Sequence, residues 1–379
     1  MAKRIRLVCT AAALVPLTVL AAACGSSGGP SSSPPSKSSS AAMVGPALPT
    51  APAKGTAALT ETGSTLLFPL VSSWATDYQK LYKQVTITTG GTGSGTGITD
   101  ASTGTVDIGA SDAYLSSAAK SSYPTLLNIP LAISAQQINY NVPNVKSLKL
   151  DGTVLAGIYS GKITMWNNSA IAALNPGVSL PSLKIVPLRR LDSSGDTFLF
   201  TSYMNAQDPS GWTASNVGTT VSWPAVPGEI SETGNGGMVS GCGSTKGCIA
   251  YIGISYLAKT QAASLGQALL KNASGSFLAP TPATVSAAAA ALTGKTPADE
   301  TLSLINGPAA NGYPIINYEY AIVNTKQSNG TTAEDMRAFL HWSVHAGQSA
   351  STYLNAVDFQ PLPAAVVTLS DNQIAKIGS

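Results

Sequence analysis

Histidine is scarce in this chain. Two occur in 379 residues, His341 and His345, both late in the sequence. A hydrolase built on Ser-His-Asp is therefore short of bases. The i,i+4 spacing would let one helix face offer two nitrogens to zinc. No Glu follows His341 and no third ligand is evident, so a packed or surface pair is the preferred reading and no metal is expected. Cysteine is sparse as well, four in all. Cys9 and Cys24 fall in the N-terminal segment, which leaves Cys242 and Cys248, and their spacing excludes a CxxC redox motif or a zinc knuckle. Charged side chains make up only 10% of the residues. Three of the 21 Lys+Arg (Lys3, Arg4 and Arg6) precede residue 24, so 18 remain against 18 Asp+Glu. That balance implies no basic face and excludes nucleic acid as the expected partner. Nucleotide fingerprints are missing too. Residues 90–97 are glycine-rich but hold neither GK[ST] nor GxGxxG, and Gly161-Lys162 is preceded by Ala156 and followed by Ile163 where a P-loop needs Gly and Ser/Thr. Ser94 is not in a GxSxG elbow, because Thr92 and Thr96 take the glycine positions.

The start of the chain reads as an export signal. A basic opening, an apolar stretch over 7–20 and Ala21-Ala22-Ala23 precede Cys24. Small residues ending at a cysteine resemble a lipobox, with Leu20 one place further upstream than usual. Cys24 would then carry lipid and become the mature N-terminus; a plain secretory signal cut nearby is the alternative. Pro16 and Thr18 interrupt the run, which argues against a retained membrane helix. Residues 24–56, mostly Gly, Ser, Pro and Ala, predict a flexible tether. The remaining 320 or so residues suit two lobes rather than one core. In an exported chain Cys242 and Cys248 predict a small-loop disulfide.

The pattern that follows is α/β: strands at 57–60, 85–88 and 106–110 each run into a polar turn, with helices next at about 66–81 and after Ile98. Strands are expected at 126–134 and 138–142, helices at 153–159 and 169–174, long loops over 206–247, an alanine-rich helix at 284–292, a return strand at 315–323, and closing helices at 332–345 and 350–357. The richest stretch is 189–197, Arg-Arg-Leu-Asp-Ser-Ser-Gly-Asp-Thr. A strand at 185–188 leads into it and a helix begins near Ser194, so bare amides, hydroxyls and an arginine meet at one point. This is either an anion socket or an ordinary N-cap beside two surface arginines, and by itself the stretch favours the latter. Ser94 is likewise either an anion contact or part of a flexible loop, and Asp112 either a ligand group or an N-cap.

Taken together, Gly63-Ser64-Thr65, Gly93-Ser94-Gly95, Gly109-Ala110-Ser111-Asp112 and residues 190–197 resemble the phosphate-binding proteins of the Pst ABC importer. Asp151-Gly152, residues 158–163, Trp166, Leu174-Asn175-Pro176-Gly177 and residues 313–320 are similar to that family too. The resemblance runs from about residue 57 to the C-terminus. It implies a type II periplasmic-binding-protein fold, with two α/β lobes joined by two crossover strands and a ligand cleft between them. Lobe I would be 57–134 plus 313–379, and lobe II 135–312. Phosphate contacts would fall on the Thr65 hydroxyl, the Leu66 amide, Ser94, Asp112, Arg190, Ser194 and the Gly195 and Asp196 amides. Leu66 replaces a common Phe and Asp196 a common Thr. The implied protein is no enzyme and needs no cofactor. It is a monomer, lipid-anchored on the outer face of the cytoplasmic membrane, handing inorganic phosphate to permease subunits. A receptor for a related oxyanion, a phosphate sensor or surface lipoprotein, and a secreted phosphatase are the competing readings. Asp112 can only accept when ionised, so the ligand must bring a proton, which phosphate has and sulfate lacks; such sites reject the analogue by about 10⁴-fold or more.

Overall fold

The computed structural model describes residues 47–378. The expected signal segment, Cys24 and most of the expected tether lie outside the described residues. The last part of that tether is not free. Leu48 packs on the core, Thr50 O accepts from Tyr82 Oη at 3.2 Å, and the Ala53 amide donates to Asp335 Oδ1 at 2.8 Å. Residues 47–56 therefore belong to the folded body, held by contacts that their own composition does not announce.

The elements run β1 (Ala57–Gly63), α1 (Phe68–Leu81), β2 (Val85–Thr88), α2 (Ser94–Thr103), β3 (Ile108–Ser111), α3 (Ser117–Ser122) and β4 (Leu126–Tyr140). Then follow β5 (Lys149–Leu150), α4 (Gly152–Tyr159), α5 (Ser169–Leu174), β6 (Val186–Arg190), α6 (Gly195–Gln207), β7 (Ile230–Glu232), α7 (Gly234–Ser244) and β8 (Cys248–Gly253). The chain ends with α8 (Leu257–Ala262), β9 (Gly266–Gln267), β10 (Leu269–Lys271), β11 (Phe277–Leu278), α9 (Pro282–Ala290), β12 (Ile316–Asn324), α10 (Gly330–Val344) and α11 (Ala364–Ile374). Several expectations change. The helix after the glycine-rich turn starts at Ser94 rather than beyond Ile98, so Ser94 is its first residue. The stretch expected to be loop at 206–247 contains β7 and α7. The closing helix expected at 350–357 is a single 3-10 turn, Leu354–Val357. The final helix, α11, lies beyond every periodic run singled out in the sequence.

One curled sheet runs β2-β1-β3-β12-β4-β8-β6-β7, with β9 also on β4. The edge strand β2 alternates as an edge should, Val85 and Ile87 buried and the threonines exposed. β4 is the spine. The two strands expected there are one, because Gln136 and Gln137, which break the apolar run, are buried inside a continuous strand. Residues 126–135 of β4 pair antiparallel with β12, and residues 136–140 pair with β8. The β12 ladder shifts register between Glu319 and Tyr320, a bulge that re-aims side chains at that point.

Helices α1 and α10 cover the β1 side, with Leu70, Val71, Trp74, Phe339 and Leu340 all buried. On the β6 side an aromatic stack sets the site: Phe200 lies on Tyr251 with ring centroids 4.6 Å apart. Tyr251 Oη accepts from the Arg190 amide at 2.8 Å and shares a 2.9 Å hydrogen bond with Thr197 Oγ1. The turn from β6 into α6 is thus pinned from beneath. Cys242 and Cys248 are joined by a disulfide, as expected, tying α7 to β8.

Candidate anion-binding site

The turns after β1 and β3, the first turn of α2 and the β6–α6 turn all come off the carboxyl ends of strands, where open α/β sheets place their ligand groups. The structure brings their side chains together and buries them: among Thr65, Leu66, Ser94, Asp112, Arg190, Ser194 and Asp196 none is more than 9% exposed. That settles the ambiguity of residues 189–197 in part. Arg190 is buried, and Ser194 precedes α6 without capping it. Only Arg189 behaves as the bland reading required, in an ion pair with Glu229.

Arg190 is held on three sides. Its Nε donates to Asp192 Oδ1 at 2.8 Å and its Nη2 to Asp192 Oδ2. Nη1 reaches Asp196 Oδ2 at 2.8 Å, and Nη2 also approaches Thr65 Oγ1 at 3.4 Å. Burial opposes the guanidinium charge, but the bonds to Asp192 and the fields of Asp196 and Asp192 outweigh it and hold the pKa above its ordinary value. Burial likewise pushes Asp192 up, and Arg190 more than reverses this, leaving it below the usual carboxylate range. Asp192 is a site residue missing from the expected contacts, although it stood inside the stretch.

Opposite lies Asp112. Its carboxylate accepts from Ser64 Oγ and, at 3.2 Å, from Ser94 Oγ, while its own amide donates back to Ser94 Oγ at 3.2 Å. It caps no helix, since the cap of α3 is Ser116. Desolvation first, and the charge of Asp196 second, push Asp112 up to about 7. Behind it Glu319 is wholly buried, accepting at Oε1 from Ser134 Oγ at 2.5 Å and Asn317 Nδ2 at 3.0 Å. Oε2 has no donor, and burial together with the Asp112 charge raises this carboxyl well above the usual range. Burial and the neighbouring Asp112 charge both favour the neutral form of Glu319, so the two carboxyls titrate as a pair.

The two turns touch. Gly95 N donates to Ser193 O at 2.9 Å, and a Cβ placed on Gly195 would lie 2.5 Å from Asp112 Oδ2. Gly195 and Asp196 open α6, so their amides stand at the positive end of the helix. Ser194 Oγ is buried with no protein hydrogen-bond partner, an orphaned donor at the same end. The Leu66 amide, by contrast, is turned to Ser64 Oγ at 3.1 Å, so the structure does not present it as a free donor.

Asp196 is the most crowded group. Oδ2 takes Arg190 Nη1 and, at 2.7 Å, Asn235 Nδ2; Oδ1 takes Gln136 Nε2 at 3.0 Å. Burial raises its pKa, and the Arg190 charge only partly opposes this. Asn235 also donates to Thr65 Oγ1 from its amide at 3.2 Å and from Nδ2 at 3.0 Å. Neither Asn235 nor Gln136 figured among the expected contacts. The only signal for Asn235 was Gly234-Asn235-Gly236-Gly237, which reads as loop until it proves to start α7. Asp112, Asp192 and Asp196 face one guanidinium, a formal excess of two negative charges when all are ionised. Such a site favours an anion that brings protons with it.

A family model described as a PBP superfamily domain matches residues 49–346. The phosphate-binding protein PstS of Haemophilus influenzae is 31% identical over 323 residues, covering 83% of this chain and 92% of its own. That of Methanocaldococcus jannaschii is 30% identical over 336 residues, covering 83% and 85%. The chain belongs to the PstS family of the PBP superfamily. The span of the family model includes every residue of the site above. A solved phosphate-binding protein from Stenotrophomonas maltophilia, 22% identical, superposes with a TM-score of 0.60 over 82% of this chain and 92% of its own. The fold is that of type II periplasmic binding proteins, and the curled sheet with β12 inserted between β3 and β4 is its form in this PstS member.

Proposed function

We propose that this protein is an extracytoplasmic receptor that captures inorganic phosphate and delivers it to the permease of an ABC importer. The observation that carries the reading is the pairing of buried donors, Arg190 and Ser194, with a buried acceptor, Asp112, across one contact. Donors alone would take any small oxyanion; the acceptor selects one carrying a proton. Thr65, Ser94 and the Gly195 and Asp196 amides complete the set. No histidine or cysteine stands among these residues, and the Ser64 and Ser94 hydroxyls have only the Asp112 carboxylate beside them as a base, so we read the site as one that binds without turnover.

The body divides into a lobe of 57–134 with 313–379 and a lobe of 135–312, with β4 and the segment leading into β12 as the crossovers. What supports this is the change of partner along β4, from β12 to β8, at residue 136. Lipid on Cys24 would hold the receptor at the membrane surface, and no helix among the described residues is long and apolar enough to cross it. Calorimetry of the purified protein with phosphate tests the reading: one phosphate per chain and no hydrolysis of p-nitrophenyl phosphate are expected. Absence of phosphate binding, or ester turnover that disappears on Asp112→Asn, would overturn it.

A further inference from the structure

Away from the anion site, the structure supplies the third ligand that the sequence around the two histidines did not show. His341 sits in the last turn of α10, and His345 is the residue that caps it, so both rings lie on one helix face. From α11 comes Asp371, which stands 30 residues beyond His341 and 26 beyond His345. His341 Nδ1 and His345 Nε2 each lie 3.1 Å from Asp371 Oδ1, and His345 Nε2 is 3.0 Å from Asp371 Oδ2. The two ring centroids are 4.2 Å apart, and one ligand atom from each residue falls within 4.8 Å of the other two.

These separations are on the scale of a metal centre. Ligand atoms about 2.0–2.2 Å from a tetrahedral ion stand about 3.3–3.6 Å from one another, so each nitrogen has to move from the carboxylate by only a few tenths of an ångström, and the two nitrogens stand within 4.8 Å of each other. Two imidazole nitrogens with one carboxylate suit a borderline divalent ion such as Zn²⁺, whereas Mg²⁺ and Ca²⁺ favour oxygen alone. Three protein ligands leave one position to water, and the His345 side chain is 43% exposed, so an ion can enter from solvent. We propose that His341, His345 and Asp371 form a surface site for one zinc-class divalent cation, clamping α11 onto α10. The proposal is independent of the phosphate reading, because none of the three residues takes part in the anion site.

The test uses the untagged protein in phosphate-free buffer, titrated with Zn²⁺ by calorimetry and, separately, with Co²⁺ followed by visible absorption. One Zn²⁺ per chain, a rise in unfolding temperature with Zn²⁺, and Co²⁺ d–d bands are expected. His345→Ala and Asp371→Asn should each weaken Zn²⁺ binding at least about tenfold and abolish the thermal rise, with phosphate affinity unchanged. His345 is exposed enough that its variant folds normally; Asp371→Asn keeps the side-chain volume. No Zn²⁺ binding, or binding that both variants retain at full strength, would overturn the proposal by showing that the three groups only hydrogen-bond one another.

Discussion

Gly195 stands directly against Asp112, close enough that a Cβ on the glycine would lie 2.5 Å from Asp112 Oδ2 and 2.6 Å from Ser94 Oγ. Contact at this point requires a residue without a side chain. Gly195→Ala is expected to weaken phosphate binding about fivefold to 150-fold, the range that overpacking of 1–3 kcal/mol corresponds to. Calorimetry would read the loss, and circular dichroism would show an intact fold. Wild-type affinity in this variant would mean that the two turns do not meet when phosphate is bound.

Asp196 gives the site a second raised carboxyl beside Asp112. At pH 8 the Asp112 carboxyl, with its pKa near 7, is mostly ionised and repels the dianion; toward pH 5 both ligand and site carry more protons. Phosphate affinity should therefore be higher at pH 5 than at pH 8, and Asp196→Asn should flatten the difference. A trend that is flat or rises toward pH 8 in the wild type would remove the preference for a more protonated anion drawn from the three carboxylates.

The strands and most helices were legible because each short strand ends in a turn marked by Gly and Ser, and because α1 and α10 carry long apolar stripes. The site's first layer was legible for the same reason: Thr65, Ser94, Asp112 and Arg190 sit in those turns. What could not be read were contacts made across sequence distance. Asn235 meets Thr65 from 170 residues away and Gln136 meets Asp196 from 60. Glu319 sits in a run whose β propensity masks a buried acid, and Asp371 lies in a helix beyond the periodic runs singled out in the sequence. Polar residues of this kind look like solvent-facing positions until their partners are in place. The Leu66 amide shows the reverse, a family contact that the local turn diverts to Ser64.

Glu61 is buried in β1, and neither of its carboxylate oxygens has a partner. Desolvation pushes it up to about 8. A carboxyl raised in the folded state binds its proton more tightly there than in the unfolded chain. Its stabilising contribution is full below about pH 4.5 and is lost as pH rises through about 8. The ligand-free protein should melt at a lower temperature at pH 8.5 than at pH 5.5. Glu61→Gln should raise the melting temperature at pH 8.5 and reduce the slope between the two, whereas an unchanged slope would show that Glu61 is not buried as an acid.

The bridge between Cys242 and Cys248 closes a short loop between α7 and β8. Replacing both cysteines by serine should cost about 2 kcal/mol of unfolding free energy in urea, from the loop-closure relation. Phosphate affinity should stay within about twofold, since Asn235 lies at the other end of α7. A large fall in affinity would mean that the bridge positions Asn235 rather than only stabilising the fold.

The central claim is that Asp112 makes the site select an anion bearing a proton, and sulfate competition at pH 8 tests it most directly. With Asp112 ionised, phosphate titrated into protein equilibrated with 10 mM sulfate, about the concentration at which even a weak millimolar competitor would register, should bind as tightly as in its absence. Asp112→Asn, which can donate to a bare oxygen, should let sulfate compete. Displacement of phosphate by millimolar sulfate in the wild-type protein would contradict the account.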